Sequence, residues 1–324
     1  MTPLPSEPPE APLLVARGVR IAVDDAVAIE AFDLDARGRA LLLLGDSAPL
    51  LATVGNAPLG MASAWWAARA GRLEPVQGHA RVAAGRLALA GRDVATGAHR
   101  GVSGYAPLDP PLPLDTTVCA WLDEVLELSS GLAGHVLPRA ARTERVAELV
   151  LRVGLVARSA TPIRALGLAE RRALVLAQAV VAAPQVLVAE APLAGLDEAS
   201  AAFVLSALAS ASEGRSTIVS VTRPLPGTPE GVLAARASDV AVLAGGQLVY
   251  SGSAGELLSS GRVLRLHVPE GAEALTQALA RRGASLRGGP TRFVVELPEG
   301  MGPTEVLLDA AEVSASVVEV AKLM

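Results

Sequence analysis

The sequence predicts an α/β protein in which a mixed, mainly parallel β-sheet is covered by helices and a small α+β appendage follows. Apolar runs without polar alternation are typical of strands buried on both faces, and three such runs are Ala40–Leu44, Val186–Ala189 and Thr217–Val221. They alternate with stretches of helical periodicity, the order expected of parallel strands joined by helices. The chain has 324 residues, of which 51% are hydrophobic, so it can bury such a core and has room for about two domains.

The elements between and after these strands follow from local signals. Residues 108–165 lack strand signals and are predicted to form a helical subdomain. The runs Asp239–Leu243 and Gln247–Tyr250 flank Gly245-Gly246, and paired glycines between two apolar runs predict a β-hairpin. Helices are expected at Thr143–Val153, Glu170–Val181 and Ser200–Ser212.

The pattern of the chain changes after Gly261. We expect a main domain over residues 12–260 and a small α+β appendage over residues 261–324. A proline-rich leader at residues 1–11 is expected to be disordered. The appendage is predicted to contain strands at Leu264–Pro269 and Arg292–Leu297 and helices at Glu273–Arg282 and Pro303–Ala311.

Composition and charge exclude several classes of function. The net charge is −5, from 28 basic and 33 acidic residues, whereas a nucleic-acid binder is expected to be basic. Cys119 is the only cysteine and the four histidines lie far apart, so neither a disulfide nor a zinc site is predicted. The only lysine is Lys322, at the C-terminal end, so any mechanism that requires a lysine elsewhere is excluded.

No membrane span or signal peptide is predicted. The uncharged run Ser47–Ala68 is long enough to cross a bilayer, but prolines and glycines interrupt it. The N-terminal segment has neither the basic start nor the apolar core of a signal peptide. We therefore expect a soluble protein in the cytoplasm.

Several segments, in their order and spacing, resemble the nucleotide-binding subunit of an ABC transporter. The segment Val186–Asp197 (VLVAEAPLAGLD) is similar to the family's magnesium-binding strand and the loop after it, and Leu166–Gln185 is similar to its signature helix. Gly104–Val118 resembles the loop that enters the helical subdomain, and Ser238–Leu258 resembles the closing hairpin and helix. The tail from Arg262 resembles the C-terminal appendage of the exporter-type branch.

This resemblance implies a P-loop NTPase-like ABC ATPase core, with ATP and Mg²⁺ as its cofactors. It also implies two kinds of partner. One is a second ATP-binding subunit in a homodimer or heterodimer, and the other is a polytopic membrane subunit. The chain would then lie peripherally at the inner face of the cell membrane, and no nucleic-acid partner is expected.

The phosphate loop departs from the family pattern G-x-x-x-x-G-K-[ST], in which backbone N–H groups cradle phosphates, the lysine reaches the β- and γ-phosphates and the hydroxyl holds Mg²⁺. A register that starts at Gly45 directly follows a strand, and we favour it for that reason. It puts Leu50 at a glycine position, Leu51 at the lysine position and Ala52 at the hydroxyl position. The other positions in this register are Asp46, Ser47, Ala48, Pro49 and Thr53.

A second register, Gly55–Ser63, competes with the first. It puts Met61 at the lysine position and Ala62 at the hydroxyl position. Neither register contains a lysine, so the charge that would contact the phosphates is missing from both.

The positions for magnesium and water chemistry are also altered. Glu190 stands where the family has its magnesium-orienting aspartate, although read alone it could equally be a solvated carboxylate at a strand end. Ala191 stands where the family has the general-base glutamate, and alanine cannot accept a proton. Leu108 replaces the glutamine that follows Gly-Tyr-x-Pro. Arg223 replaces the switch histidine, and it could either contact a γ-phosphate or be an ordinary solvated arginine.

The signature segment is normally Leu-Ser-Gly-Gly-Gln/Glu, and its serine and helix N-terminus grip the γ-phosphate across the dimer. The serine hydroxyl is absent here, and Leu168 adds bulk where the phosphate needs a close approach of the backbone. We expect the helix to form and its anion site to be compromised. Asp197 matches the loop that contacts the opposite subunit. The segment in this chain is Leu166, Gly167, Leu168, Ala169 and Glu170.

Leucine and alanine thus occupy most positions at which the family has catalytic or ligand-binding residues. The glycines and prolines that shape turns are kept. The pattern predicts a pseudo-ATPase, a degenerate cassette subunit of an ABC transporter or ABC-like envelope machine in which binding of ATP and Mg²⁺ is weak or lost. Two alternatives stay open. One is a functional ATPase with divergent motifs that energises ABC-type export, and the other is a soluble regulator or scaffold with an ABC fold.

Overall fold

The structure is a computed structural model that describes residues 11–24, 26–56, 79–132, 134, 136–222, 224, 227–253, 263–298 and 301–322. Almost all of the predicted leader and the closing segment 254–258 lie outside these ranges. In the described ranges, no helix combines the length and the apolar character that crossing a membrane requires.

In chain order, the strands of the described residues are β1 (Leu14–Val23), β2 (Ala26–Ala36), β3 (Ala40–Gly45), β4 (Ala80–Leu89), β5 (Arg92–Asp93), β6 (Ser103–Ala106), β7 (Val186–Ala189), β8 (Ser216–Val221), β9 (Asp239–Ala244), β10 (Gln247–Ser253), β11 (Val263–His267), β12 (Ser285–Gly288), β13 (Arg292–Glu296) and β14 (Glu319–Lys322). The α-helices are α1 (Ala48–Gly55), α2 (Val118–Leu132), α3 (Arg139–Arg152), α4 (Leu168–Val180), α5 (Glu198–Ser212), α6 (Pro229–Arg236), α7 (Ala272–Arg281) and α8 (Pro303–Glu312).

The central sheet has the strand order β10-β9-β3-β8-β7-β6. The strands from β9 to β6 are mutually parallel, and β10 runs antiparallel to β9. The three apolar runs singled out in the sequence are the neighbours β3, β8 and β7, so the predicted mainly parallel sheet is confirmed. Because these strands are parallel, the segments that follow β3, β7 and β8 leave from the same edge of the sheet.

A second sheet, of order β2-β1-β4-β5, is antiparallel and was not predicted. Its register shifts between Arg17 and Arg20, where the backbones of two glycines meet. A Cβ on Gly85 would lie 2.2 Å from the carbonyl oxygen of Gly18. Such an irregularity breaks the period-two alternation by which a half-exposed strand is recognised.

Helices cover the two faces of the central sheet unequally. Helix α1 packs in one hydrophobic cluster together with Leu41 and Leu43 of β3 and apolar residues of the antiparallel sheet. The other face is covered by a larger cluster that includes residues of α2, α3, α4 and α5. The helices predicted within α3, α4 and α5 are confirmed, with starts two to four residues earlier than expected.

The C-terminal residues form a third sheet of order β12-β13-β11-β14, in which every pairing is antiparallel. With α7 and α8 this gives the βαββαβ order of a ferredoxin-like fold. Its helices and sheet share a separate hydrophobic cluster. Val263 and Val294 instead join the large cluster of the central sheet, so the sheet also packs against the rest of the chain. The short strands β12 and β14 were not predicted.

Candidate functional site

The candidate site lies at the edge of the central sheet where β3 ends. Gly45 has φ +77°, and a Cβ there would lie 1.9 Å from the carbonyl oxygen of Leu243. Only glycine fits such a position. The N–H of Asp46 donates to the same carbonyl at 2.9 Å, and its carboxylate accepts the N–H of Gly245 at 3.2 Å. The turn after β3 is therefore fixed to the β9–β10 hairpin.

Only two residues separate this strand from α1. Asp46 and Ser47 form the turn, and the chain is helical from Ala48 onward. The favoured register assigns Ala48, Pro49 and Leu50 to a wide phosphate loop, whereas the structure places them in the first turn of α1. A proline there has no N–H to offer a phosphate.

The residues at the lysine and hydroxyl positions face the protein interior. Leu51 is 0% exposed and Ala52 is 1% exposed. Leu51 packs with Leu50 and Val54 in the cluster between the central and the antiparallel sheet. The side chain of Thr53 donates to the carbonyl oxygen of Pro49 at 2.7 Å. In the second register, Gly55 is the last residue of α1 rather than the end of a strand, and residues 57–63 lie outside the described ranges.

Glu190 directly follows β7 and is only 1% exposed, so the alternative reading as a solvated carboxylate is wrong. One carboxylate oxygen accepts the hydroxyl of Tyr105 at 2.9 Å and the N–H of Leu108 at 3.4 Å. The other, Oε1, has no hydrogen-bond partner among the described residues. Burial raises the pKa of Glu190 to about 7, and the two hydrogen bonds and the charge of Arg172 oppose that rise.

Ala191, at the general-base position, and Leu108, at the glutamine position, pack together as apolar side chains. Ala191 and Leu108 form a small buried cluster with Ala194. Ala191 is 0% exposed, has φ +39° and donates its N–H to the side chain of Ser220 at 2.9 Å. Side chains that pack in this way can neither orient nor deprotonate a water molecule.

The signature segment begins α4 as predicted, but the chain itself supplies the acceptor for the helix N-terminus. Glu170 Oε2 accepts the N–H of Gly167 at 2.8 Å, and Oε1 accepts Nε of Arg158 at 2.7 Å. Leu168 is 45% exposed at this end of the helix. The N–H of the N-cap residue is thus taken by a carboxylate of the same turn and is not free to bind an anion.

The remaining predicted positions have mixed outcomes. Asp197 is the N-cap of α5, and its carboxylate accepts the N–H of Ser200 at 2.8 Å. This hydrogen bond lowers the pKa of Asp197. Arg223 lies outside the described residues. In the part of the chain that the structure describes, no three histidine, cysteine, aspartate or glutamate residues are grouped so that they could hold a metal ion.

Two residues of the site were not found from the sequence. Tyr105 lies on β6, beside β7, and reaches across to Glu190. Arg172 lies on α4 and is only 7% exposed, although arginine is normally a surface residue. For Tyr105, the available signal was its place in the segment Gly104–Val118, just before the predicted helical subdomain. No local signal marked Arg172.

Comparison of the sequence with curated proteins finds a similarity over part of the chain. No family model matches the sequence. Over 121 residues, or 36% of the chain, it is 33% identical to ABC transporter G family member 7 of Arabidopsis thaliana. This similarity spans 16% of the length of that protein.

The chain is similar in fold to solved ATP-binding subunits of ABC transporters. The first is cbiO1 from Clostridium perfringens, part of the ABC transporter complex cbiONQ, with a TM-score of 0.56, 18% identity and coverage of 77% of this chain and 92% of that one. The second is a nucleotide-free ATP-binding cassette from an ABC transporter, with a TM-score of 0.54, 13% identity and coverage of 75% and 91%. The chain therefore has the fold of an ABC transporter ATP-binding subunit, as its sequence indicated.

Proposed function

We propose that this protein is a cassette subunit of an ABC transporter or ABC-like envelope machine that has kept the fold and has lost ATP hydrolysis. In this proposal, residues 12–260 form the cassette and residues 261–324 an appendage to it. The subunit pairs with a second ATP-binding subunit, docks on a polytopic membrane subunit and lies at the inner face of the cell membrane.

The observation that carries the proposal is the turn between β3 and α1. A P-loop needs several backbone N–H groups around a phosphate and a lysine that reaches it. Here only two residues separate Gly45 from the helix, and Leu51 is buried at the lysine position. The residues present therefore do not fit Mg·ATP.

The second half of the site supports the same conclusion. Hydrolysis requires a group that positions and deprotonates water, but Ala191 and Leu108 pack against each other. Glu190, the residue that the resemblance places at the Mg²⁺ position, is buried and hydrogen-bonded to Tyr105. The fold is kept while apolar residues occupy the positions for catalysis. This combination favours a structural or regulatory role for the subunit within an assembly.

The proposal is tested by measuring Mg·ATP binding calorimetrically and phosphate release enzymatically on the full chain, alone and with a candidate membrane subunit. An ABC ATPase with complete motifs serves as the positive control. We expect neither binding nor release by this chain, and co-purification with the membrane subunit. Mg²⁺-dependent phosphate release would favour the functional ATPase instead. Failure to associate with any membrane subunit would favour the scaffold.

A further inference from the structure

Three half-buried arginines come together at the edge of the central sheet that lies opposite to the candidate site. Arg145 and Arg152 are two turns apart and therefore share one face of α3. Arg215 directly precedes β8, whose start lies beside the start of β3 rather than beside its end at Gly45. We call these three residues the arginine cluster.

Backbone carbonyl groups at the ends of two helices orient this cluster. Arg145 Nε donates to the carbonyl oxygen of Val181, the C-cap of α4, at 2.7 Å. Arg215 Nη1 donates to the carbonyl oxygens of Ala211, at 3.1 Å, and Glu213, at 3.0 Å, at the end of α5. The C-terminal end of a helix favours a positive charge. Carbonyl groups carry only partial charges, however, so these bonds position the guanidinium groups without neutralising them.

The carboxylates beside the cluster pair with Arg152 alone. Glu148 and Glu213 lie 3.6 Å and 2.8 Å from its guanidinium nitrogens. Among the described residues, neither Arg145 nor Arg215 forms an ion pair, and the buried Nε of Arg215 has no hydrogen-bond acceptor. Burial lowers the pKa of Arg215, and the positive charges of Arg152 and Arg145 lower it further. Two neighbouring positive charges that repel each other thus lack a negative partner.

We propose that the arginine cluster binds a phosphoryl group, which belongs either to a small phosphate ester or to a phosphorylated side chain. The terminal N–H groups of Arg145 and Arg215 donate to its oxygens, since guanidinium groups match phosphate oxygens in pairs. A phosphate monoester carries a charge of about −1.5 to −2 at pH ~7 and neutralises both arginines, whereas a carboxylate neutralises only one. The chain as a whole has a net charge of −5, which disfavours a polyanion such as a nucleic acid.

The proposal does not depend on the loss of hydrolysis, because the cluster is at the other edge of the sheet. It is tested with a short capped peptide that carries a fluorophore and one central phosphoserine, together with its serine counterpart. Binding to the full chain is measured by fluorescence anisotropy at constant ionic strength. Unlabelled inorganic phosphate and acetate are then added as competitors.

We expect the phosphoserine peptide to bind about tenfold or more tightly than the serine peptide, because hydrogen bonds to a charged group are lost in the latter. Inorganic phosphate is expected to compete, and acetate is not. If neither peptide binds, if both bind equally, or if acetate competes as well as phosphate, the proposal is overturned. A purely structural role of the arginines, as caps of α4 and α5, predicts this absence of preference.

The strength of the competition identifies the source of the phosphoryl group. Inorganic phosphate that competes at about the dissociation constant of the peptide indicates free phosphate or a small ester. Phosphate that competes only at about tenfold or higher concentration indicates a phosphorylated polypeptide. Both results support the phosphoryl site.

Variants then locate the binding. Arg145→Gln and Arg215→Gln are each expected to lower the preference for phosphoserine by about tenfold. Arg236→Gln is the matched control, because Arg236 is an exposed arginine in the last turn of α6 and its loss changes the net charge equally. If the first two variants keep the preference, or if Arg236→Gln lowers it as much, the peptide binds elsewhere and the proposal is wrong. Where the glutamine variants do not fold, Arg145→Lys keeps the charge without the planar donors, and an unchanged preference in that variant also overturns the proposal.

Discussion

Restoring the missing lysine is expected to destabilise the protein rather than create a phosphate site. The perturbation is Leu51→Lys, first alone and then combined with Ala52→Ser and Ala191→Glu. Leu51 is 0% exposed and packs between the central and the antiparallel sheet. An ammonium group at this position would have to stay buried without an acceptor or force α1 out of its packing.

The size of the effect follows from this burial. Truncating a buried leucine costs about 2–5 kcal/mol, and leaving a charge buried and uncompensated costs about 3–5 kcal/mol. We therefore expect Leu51→Lys to lower the free energy of unfolding by about 3–5 kcal/mol, a large part of the ~5–15 kcal/mol typical of folded proteins. Leu51→Met conserves volume and is expected to cost less than about 1.5 kcal/mol.

The assay combines urea unfolding, followed by circular dichroism, with calorimetric titration of Mg·ATP. At an m-value near ~2 kcal/mol/M, the expected loss lowers the urea midpoint by about 2 M. The triple variant is expected to bind no nucleotide, because α1 still begins at Ala48 and Pro49 still lacks an N–H. Mg·ATP binding by a triple variant as stable as Leu51→Met would refute this reasoning and show that the turn after β3 can reopen.

Three further predictions concern the stability of the same site. Gly45→Ala should destabilise by at least about 1–3 kcal/mol more than Gly214→Ala, since both have positive φ but only the first Cβ would meet a backbone oxygen; equal losses in urea unfolding would contradict this. Because the pKa of Glu190 is raised to about 7, ionisation of Glu190 lowers the free energy of unfolding as pH rises from about 4.5 through 7. Glu190→Gln should therefore be more stable than wild type by up to about 3 kcal/mol at pH ~8 and by little at pH ~5. A pH-independent difference would show that Glu190 does not titrate. Ser220→Ala should cost about 1–3 kcal/mol in thermal or urea unfolding by leaving the buried N–H of Ala191 without an acceptor; an unchanged midpoint would show that this N–H finds another partner.

The parallel core could be predicted because its signals are local. Strands such as Val186–Ala189 are continuously apolar, and the glycine pair at Gly245 marks the hairpin. The antiparallel sheet could not be predicted, because charged residues on its exposed face and the bulge near Gly18 interrupt the alternation of apolar and polar residues. Strands β12 (SLRG) and β14 (EVAK) were missed because they mix polar and apolar residues, whereas β7, which is equally short, is apolar throughout.

The chemistry of the site was only partly predictable, since it depends on contacts between distant residues. The resemblance places Leu51 at the lysine position, but only the structure shows that Leu51 is buried in α1. The approach of Tyr105 to Glu190 joins residues 85 positions apart. The contact of Glu170 with the N–H of Gly167 is local by contrast, and the spacing Gly-x-x-Glu at a helix start was a usable signal for it.

The apolar residues at this site lie in two separate buried clusters. Leu50 and Leu51 fill the interior beneath the turn after β3, and Ala191 and Leu108 close the space beside β7. Each apolar residue makes a contact that an ATPase would have to break in order to admit phosphate, metal or water. We therefore expect that no single substitution restores ATP binding or hydrolysis. Each restored polar side chain would lie among apolar neighbours that now fill its place. This packing is consistent with the structural or regulatory role that we propose for the subunit.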